Sequence, residues 1–301
     1  MFSQRQTTLF QFLLFFNVST GTVVLQVRNL FLLYRRNKSA KKAPTSLVFH
    51  ICSWIFASIF ASLYCVYIFL VWRPDGVAIH SNNYIVFWLG TFYIIGLVLI
   101  GFSVAILVAD RVIAVIAPLA TKYNATRTMI AIAAIITSVT LMVTCITELP
   151  IPLESGQFSY YNVTFRNHGN YMFRLRAVLG VINLILISNF MYIIRYKLRK
   201  SRRRNRFIER VAICSAFTQI LCTVFPIVVR KTLQNDEACQ SFARSYYILS
   251  YAVDAISTTY VLRYVVLKLT KGTTTVLYFG NGKGPCITLK NKIGIERRMS
   301  K

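Results

Sequence analysis

Residues 84–119 read YIVFWLGTFYIIGLVLIGFSVAILVADRVIAVIAPL. The 26 residues from Tyr84 to Ala109 carry no charged side chain, and then Asp110 and Arg111 stand side by side. About 20 consecutive apolar residues suffice to cross a bilayer as a helix. The stretch therefore predicts a spanning helix that ends on a charge pair, followed eight residues after Asp110 by Pro118.

Six more apolar runs surround this one. Together the seven lie at about 7–33, 47–72, 84–109, 128–149, 175–194, 211–229 and 245–267, each at least 19 residues long. Each can span with some tilt. The first is the poorest, because it holds Gln11, Asn17, Gln26 and Arg28. It is longer than a signal-peptide core and no small-x-small site closes it, so it reads as a span. The pattern predicts an all-α membrane protein, a seven-transmembrane helix bundle. One receptor-sized domain covers 1–267, and a basic tail covers 268–301.

Composition points the same way. Hydrophobic residues make up 55% of the chain and charged residues 15%, with a mean hydropathy of +0.54. Water-soluble domains carry roughly 25% charge, and 14% aromatic residues exclude a disordered chain. The net charge of +26 sits between the apolar runs rather than in a module of its own. Anionic membrane lipids are therefore the expected partner of these charges, and nucleic acid is not.

The distribution of Lys and Arg sets the orientation. Segments 34–46, 110–127, 195–210 and 268–301 hold 25 of them, while 1–8, 73–83, 150–176 and 230–245 hold eight. The richer side is expected to be cytoplasmic, which puts the N-terminus outside and the C-terminus inside. Asn162-Val163-Thr164 then lies in an outer loop as a glycosylation acceptor, and the sequons at Asn37 and Asn124 lie inside.

Enzyme chemistry finds no foothold. The seven cysteines form no C-x-x-C, and His50, His80 and His168 are far apart, so neither a metal nor a redox cofactor is implied. No G-x-S-x-G, H-E-x-x-H or paired carboxylates occur in a polar segment. Gly280–Pro285 has glycines and Lys283, but no Ser or Thr follows the lysine and no strand precedes it, so it reads as tail. No internal repeat supports an inverted-repeat transporter.

The segment Asp110-Arg111-Val112-Ile113-Ala114-Val115-Ile116-Ala117-Pro118-Leu119, with Tyr123 four residues on, resembles the D-R-Y-x-A-x-x-x-P-L motif. That motif closes the third helix of rhodopsin-like G-protein-coupled receptors on its cytoplasmic side. The resemblance implies that Arg111 is held by Asp110 and by an acid at the base of the sixth helix, and is released on activation to contact a heterotrimeric G protein. Val112 replaces the usual Tyr. Glu209, just before the sixth run, is the only acid near that end, three residues beyond the family's position, which Arg206 occupies. Several family marks are absent: an N-P-x-x-Y in the seventh run, an Asp in the second, a Trp in the fourth and the outer disulfide. The chain is most similar to the divergent nematode serpentine chemoreceptors. That likeness implies a multi-pass plasma-membrane protein, with sensory-neuron cilia as one expected place.

Three further features carry expectations. Arg202, Arg203 and Arg204 centre a third inner loop with nine basic residues, suited to lipid headgroups and to an acidic groove on a cytoplasmic partner. Pro226 kinks the sixth run and supplies a hinge. Asp254 is the one acid deep in a run, and an intramembrane carboxylate is costly. It pairs a cationic ligand, holds an ion, or is satisfied by hydroxyls on neighbouring helices. Tyr84, Trp88, Tyr93, Glu148, Tyr247, Tyr251 and Asp254 fall in outer halves and are the candidate pocket for a small-molecule or peptide ligand. Their alternative is an interfacial aromatic belt. The expected function is a chemosensory-type receptor signalling through a G protein, with a multi-span transporter or ligand-gated channel as the alternative.

Overall fold

The computed structural model describes residues 4–37, 44–71, 82–116, 122–149, 171–197 and 237–270, together with 213, 217 and 218. Every described element is a helix: α1 (Gln4–Asn37), α2 (Thr45–Val71), α3 (Asn83–Ile116), α4 (Lys122–Glu148), α5 (Tyr171–Lys197) and α6 (Glu237–Thr270). All seven prolines of the chain lie outside these ranges, so the interior of none of the described helices is interrupted. The helices overrun the apolar runs by up to eight residues, because interfacial polar residues continue a helix that the apolar count ends. α3 in particular continues past Asp110-Arg111 to Ile116, so the charge pair lies within the helix rather than at its end.

Five helices, α1 to α5, are long and apolar enough to cross a membrane. α6 is equally long but carries Asp254, Arg263 and Lys268. Of the sixth run, only Ile213, Phe217 and Thr218 are among the described residues. Arg202, Arg203, Arg204, Glu209, Pro226, Pro118, Asn162 and the tail beyond Thr270 lie outside them.

Local chemistry fixes the helix starts. The Pro44 carbonyl accepts the amides of Leu47 and Val48 at the head of α2. Asn82 caps α3, its Oδ1 accepting the Tyr84 amide at 3.0 Å. The Tyr67 hydroxyl from the end of α2 accepts the Asn82 amide at 2.9 Å, which joins the two helices at that end.

α3 is the centre of the bundle and packs on α2, α4 and α5, while α1 packs on α2 and α6. Two thirds of the apolar window of α3 is buried, against 17–39% in the other four. Contacts between α2 and α3 run in opposite order along the chain: Ser46 meets Asp110, His50 meets Ser103 and Phe60 meets Phe92. The two helices are antiparallel. Gly96 lets them close up, since a Cβ there would sit 2.5 Å from the Ala57 Cα. Small residues at such crossings let membrane helices approach through backbone contact.

Two apolar clusters stack along the bundle. One gathers Phe15, Trp54, Phe87, Val98, Met172, Leu179, Tyr251 and Ala255 among others. The second gathers Leu33, Ile51, Leu107, Phe190, Leu262 and Val266 among others. In α1, α3, α5 and α6 the earlier residues join the first cluster and the later ones join the second, so these four helices run in the same direction. Between the clusters lies a polar seam. Gln26 donates to Thr259 at 3.1 Å, Asn29 donates to Gln26 at 3.3 Å, and Asn183 donates to the Gly101 carbonyl at 3.0 Å. His50 Nδ1 lies 2.7 Å from Ser103 Oγ. Ser103 spends its proton on the Ile100 carbonyl at 2.7 Å, so His50 Nδ1 is the donor. The lipid-facing side is apolar, and α4 alone exposes Ile132, Ile135, Val139, Met142 and Ile146.

Candidate functional site

The Asp110 end of α3 carries the first site. Asp110 is 5% exposed and accepts hydrogen bonds from three directions. Ser46 at the start of α2 donates to Oδ2 at 3.1 Å. Thr126 in α4 donates to Oδ1 at 3.4 Å. The Arg111 guanidinium bends back to Oδ2 at 3.2 Å. One carboxylate thus ties the ends of three helices, and each bond is charge-assisted. Arg111 is largely buried, and its Nε has no hydrogen-bond partner among the described residues. A guanidinium offers five donors in a fixed fork, so Arg111 retains capacity for a further acceptor.

The second site lies in the other half of the bundle, where Asp254 of α6 and Arg176 of α5 line one cavity with Leu97, Ile100 and Gly101 of α3. Asp254 is 9% exposed. The Thr258 hydroxyl, one turn on, donates to its Oδ1 at 3.3 Å, and Thr218 also hydrogen-bonds the carboxylate. Hydroxyls thus hold this acid, and Arg176 lines the same cavity.

The expected pocket residues fall in different places. Tyr251 is 4% exposed and forms a hub. Its ring meets Phe15 edge-on at 4.9 Å, Tyr93 at 5.8 Å and Trp54 at 6.1 Å. Its hydroxyl lies 2.9 Å from Ser58 Oγ in α2. Tyr93 is half-buried and also meets Phe15 edge-on at 5.6 Å. Tyr84 and Trp88 are partly exposed at the head of α3, with Trp88 stacked on Phe92. Glu148 is half-buried at the end of α4. Tyr247 lies in α6, its side chain outside the described set. The structure therefore brings Tyr93, Tyr251 and Asp254 into one neighbourhood and leaves Tyr84, Trp88 and Glu148 apart from them.

Arg176 is the residue the sequence reading missed. It counted there as an outer-loop charge, because the apolar run begins beside it. In α5 it lies on the buried face that continues through Leu179, Gly180, Asn183, Ile187 and Phe190. Tracing that helical spacing back from Asn183 through Gly180 was the signal available.

Residues 63–232, more than half of the chain, match the model of the serpentine type 7TM GPCR receptor class ab chemoreceptor family. The chain belongs to this family. The resemblance to serpentine chemoreceptors is thereby borne out. The matched stretch of this class ab chemoreceptor includes Asp110, Arg111 and Arg176, and ends before α6 and Asp254. No curated protein matches the chain. As a family member with five apolar candidate spans, it is a multi-pass membrane protein of a receptor family. Among the described residues, no group of three or more His, Cys, Asp or Glu is arranged to hold a metal.

Proposed function

We propose that this chemoreceptor binds a ligand within the half of the bundle that holds Asp254 and signals through a heterotrimeric G protein at the Asp110 end. The observation that carries the reading is the Asp110–Arg111 site. A largely buried Arg, 3.2 Å from one carboxylate and with Nε unpartnered among the described residues, sits within the family-matched region. Such a pair is a bistable element. Ligand binding shifts an existing equilibrium by its differential affinity for the two states. The Asp110 end is then cytoplasmic, Glu209 is the second acceptor for Arg111, and Arg202, Arg203 and Arg204 meet anionic lipid and the partner.

A seventh crossing belongs to the proposal. α5 and α6 run in the same direction, so the chain between Lys197 and Glu237 starts at one end of the bundle and finishes at the other. The apolar run 211–229, kinked at Pro226, has the length for that return.

The test is Arg111→Ala, with ligand binding measured on membranes and nucleotide exchange measured on an added G protein. The expected result is exchange reduced by about tenfold or more with binding nearly unchanged, because loss of a charge-assisted contact is worth about 1.5–3 kcal/mol. Wild-type exchange in the variant would refute coupling through this site.

A further inference from the structure

Two arginines stand on the lipid-facing side of the bundle, one on each of two neighbouring helices. Arg28 of α1 and Arg263 of α6 are exposed, and neither has a partner among the described residues. α1 packs on α6. We propose that the two guanidiniums hold the phosphate of an anionic phospholipid in the outer groove between these helices, in the half of the bundle that contains Asp110. Such a site is separate from the cavity beside Asp254 and from the Asp110–Arg111 pair.

Level and face bring the two together. Gln26 of α1 donates to Thr259 of α6 at 3.1 Å. The helices run in the same direction, so Arg28, two residues on, and Arg263, four residues on, lie about 3 and 6 Å beyond this bond toward the Asp110 end. Phe15 meets Tyr251 in the other half, and counting from that contact puts the arginines within about 2 Å of one level. On α1 the contacts with α2 come from Phe12, Phe16 and Ser19. At about 100° per residue, Arg28 lies on the other edge of the lipid-facing arc, the edge next to α6. On α6, Arg263 is one turn beyond Thr259, the residue that meets α1, and is turned outward from it. Both side chains therefore border the same groove from the lipid side.

Charge complementarity selects the occupant. Arg28 lies seven residues, about 10 Å, inside Arg35, where the apolar span of α1 ends. A charge at that depth is costly, and its head moves to wherever water or an acceptor is available. A second copy of this chain offers no such acceptor from its described residues, because the one acid among them in this half is Asp110, and it is buried. A phospholipid brings a phosphate that the guanidinium fork matches with two parallel donors. Two positive heads favour an anionic headgroup over a zwitterionic one, whose ammonium they repel. The groove also continues toward the midplane. Gly21 lies two turns before Arg28 on the same face, and a Cβ there would meet nothing within 4 Å. Glycine weakens a helix interior, and no neighbouring helix uses the space it leaves. An acyl chain descending from the phosphate fills that space, bordered by the exposed Val24 and Ile256.

The experiment titrates the purified full chain in detergent with dioleoyl phosphatidate, phosphatidylserine and phosphatidylcholine, and with inorganic phosphate. Native mass spectrometry counts bound lipid, and the thermal midpoint is followed in parallel. The expected result is one anionic lipid retained, with a rise in midpoint, at about tenfold or more lower concentration than phosphatidylcholine. Inorganic phosphate at about 10 mM should give no rise. Arg28→Gln and Arg263→Gln should each reduce the preference, and the double variant should bring it to the phosphatidylcholine level. Lys290→Gln with Lys292→Gln, which removes the same charge from the tail, should leave it intact. Gly21→Leu should weaken the dioleoyl lipid several-fold and leave a dihexanoyl analogue unaffected; unchanged affinity for the dioleoyl lipid would overturn the acyl-chain path. Equal loss in the tail variant makes the attraction diffuse and overturns the site. So do equal retention of the three lipids by the wild type and stabilisation by inorganic phosphate alone. A doubled mass that disappears in the arginine variants assigns the groove to a second copy and overturns it as well. The comparison among lipids on the wild type decides the matter by itself if a variant fails to fold.

Discussion

Ser46 opens α2 and Asp110 lies two turns from the end of α3, and the hydroxyl of the first donates to the carboxylate of the second at 3.1 Å. Thr126 adds α4 to the same carboxylate. The acid paired with Arg111 is thus also the tie between three helix ends. Any event that frees Arg111 changes the load on Ser46 and Thr126 as well.

Asp110→Asn removes the charge that holds Arg111 and weakens both hydroxyl contacts. Charged hydrogen bonds are worth about 1.5–3 kcal/mol and neutral ones about 0.5–1.5. Ligand-free nucleotide exchange should rise by about tenfold, since 1.4 kcal/mol is one decade. Ser46→Ala and Thr126→Ala should each give a smaller rise. Unchanged basal exchange with lower surface expression would make the tie purely structural.

Gly96 supplies the closest approach of α2 and α3. Gly96→Val puts carbon within 2.6 Å of both the Ala57 Cα and its Cβ, so the helices must separate. Overpacking of this kind costs about 1–3 kcal/mol. The thermal midpoint of the detergent-solubilised chain should fall. Ala57→Gly should restore part of it, because it removes one of the two contacts. A midpoint equal to the wild type would show that the crossing is looser than described.

Some of this was legible in the chain and some was not. α3 and its charge pair were readable, because 26 uncharged residues followed by Asp110-Arg111 have one physical reading in a membrane. The polar acceptor on α2 was not, since Ser46 is one hydroxyl among many. Arg176 was assigned to a loop because counting apolar residues stops at a charge, whereas the helix continues through it. Which face of a helix turns inward is also poorly written in a membrane chain, where lipid accepts the same side chains as the core. Tyr251 shows this. Its place in the apolar run was plain, but not that its ring would sit against Phe15, Tyr93 and Trp54.

Tyr251→Phe keeps that ring cluster and removes the hydroxyl 2.9 Å from Ser58. The loss should be about 0.5–1.5 kcal/mol, whereas Tyr251→Ala, which also empties the cluster, should cost about 3–5 kcal/mol. Thermal melting of the two variants and of Ser58→Ala checks this. The double variant Tyr251→Phe with Ser58→Ala should cost less than the sum of the singles, because the two share one bond. Strict additivity would show that the hydroxyls do not interact.

Orientation gives the last prediction. Lys and Arg number 25 on the side that includes Asp110 and eight on the other, so the Asp110 end should face the cytoplasm. Asn162 should then carry a glycan, and Asn37 and Asn124 should carry none. Mass shift on peptide N-glycosidase treatment of Asn162→Gln, Asn37→Gln and Asn124→Gln variants reads this out: only the first should abolish the shift. The parallel course of α5 and α6 adds an independent requirement. With one crossing between Lys197 and Glu237, the C-terminus lies on the same side as Asp110. An epitope tag after Lys301 should therefore be protected in intact cells and exposed by permeabilisation. If Asn162 is glycosylated and the tag is nevertheless accessible in intact cells, the 198–236 connection does not cross, and the seven-span reading fails while the orientation of α1 to α5 stands. If Asn124 carries the glycan, the Asp110–Arg111 pair faces outward, and coupling to a cytoplasmic G protein at that site is excluded.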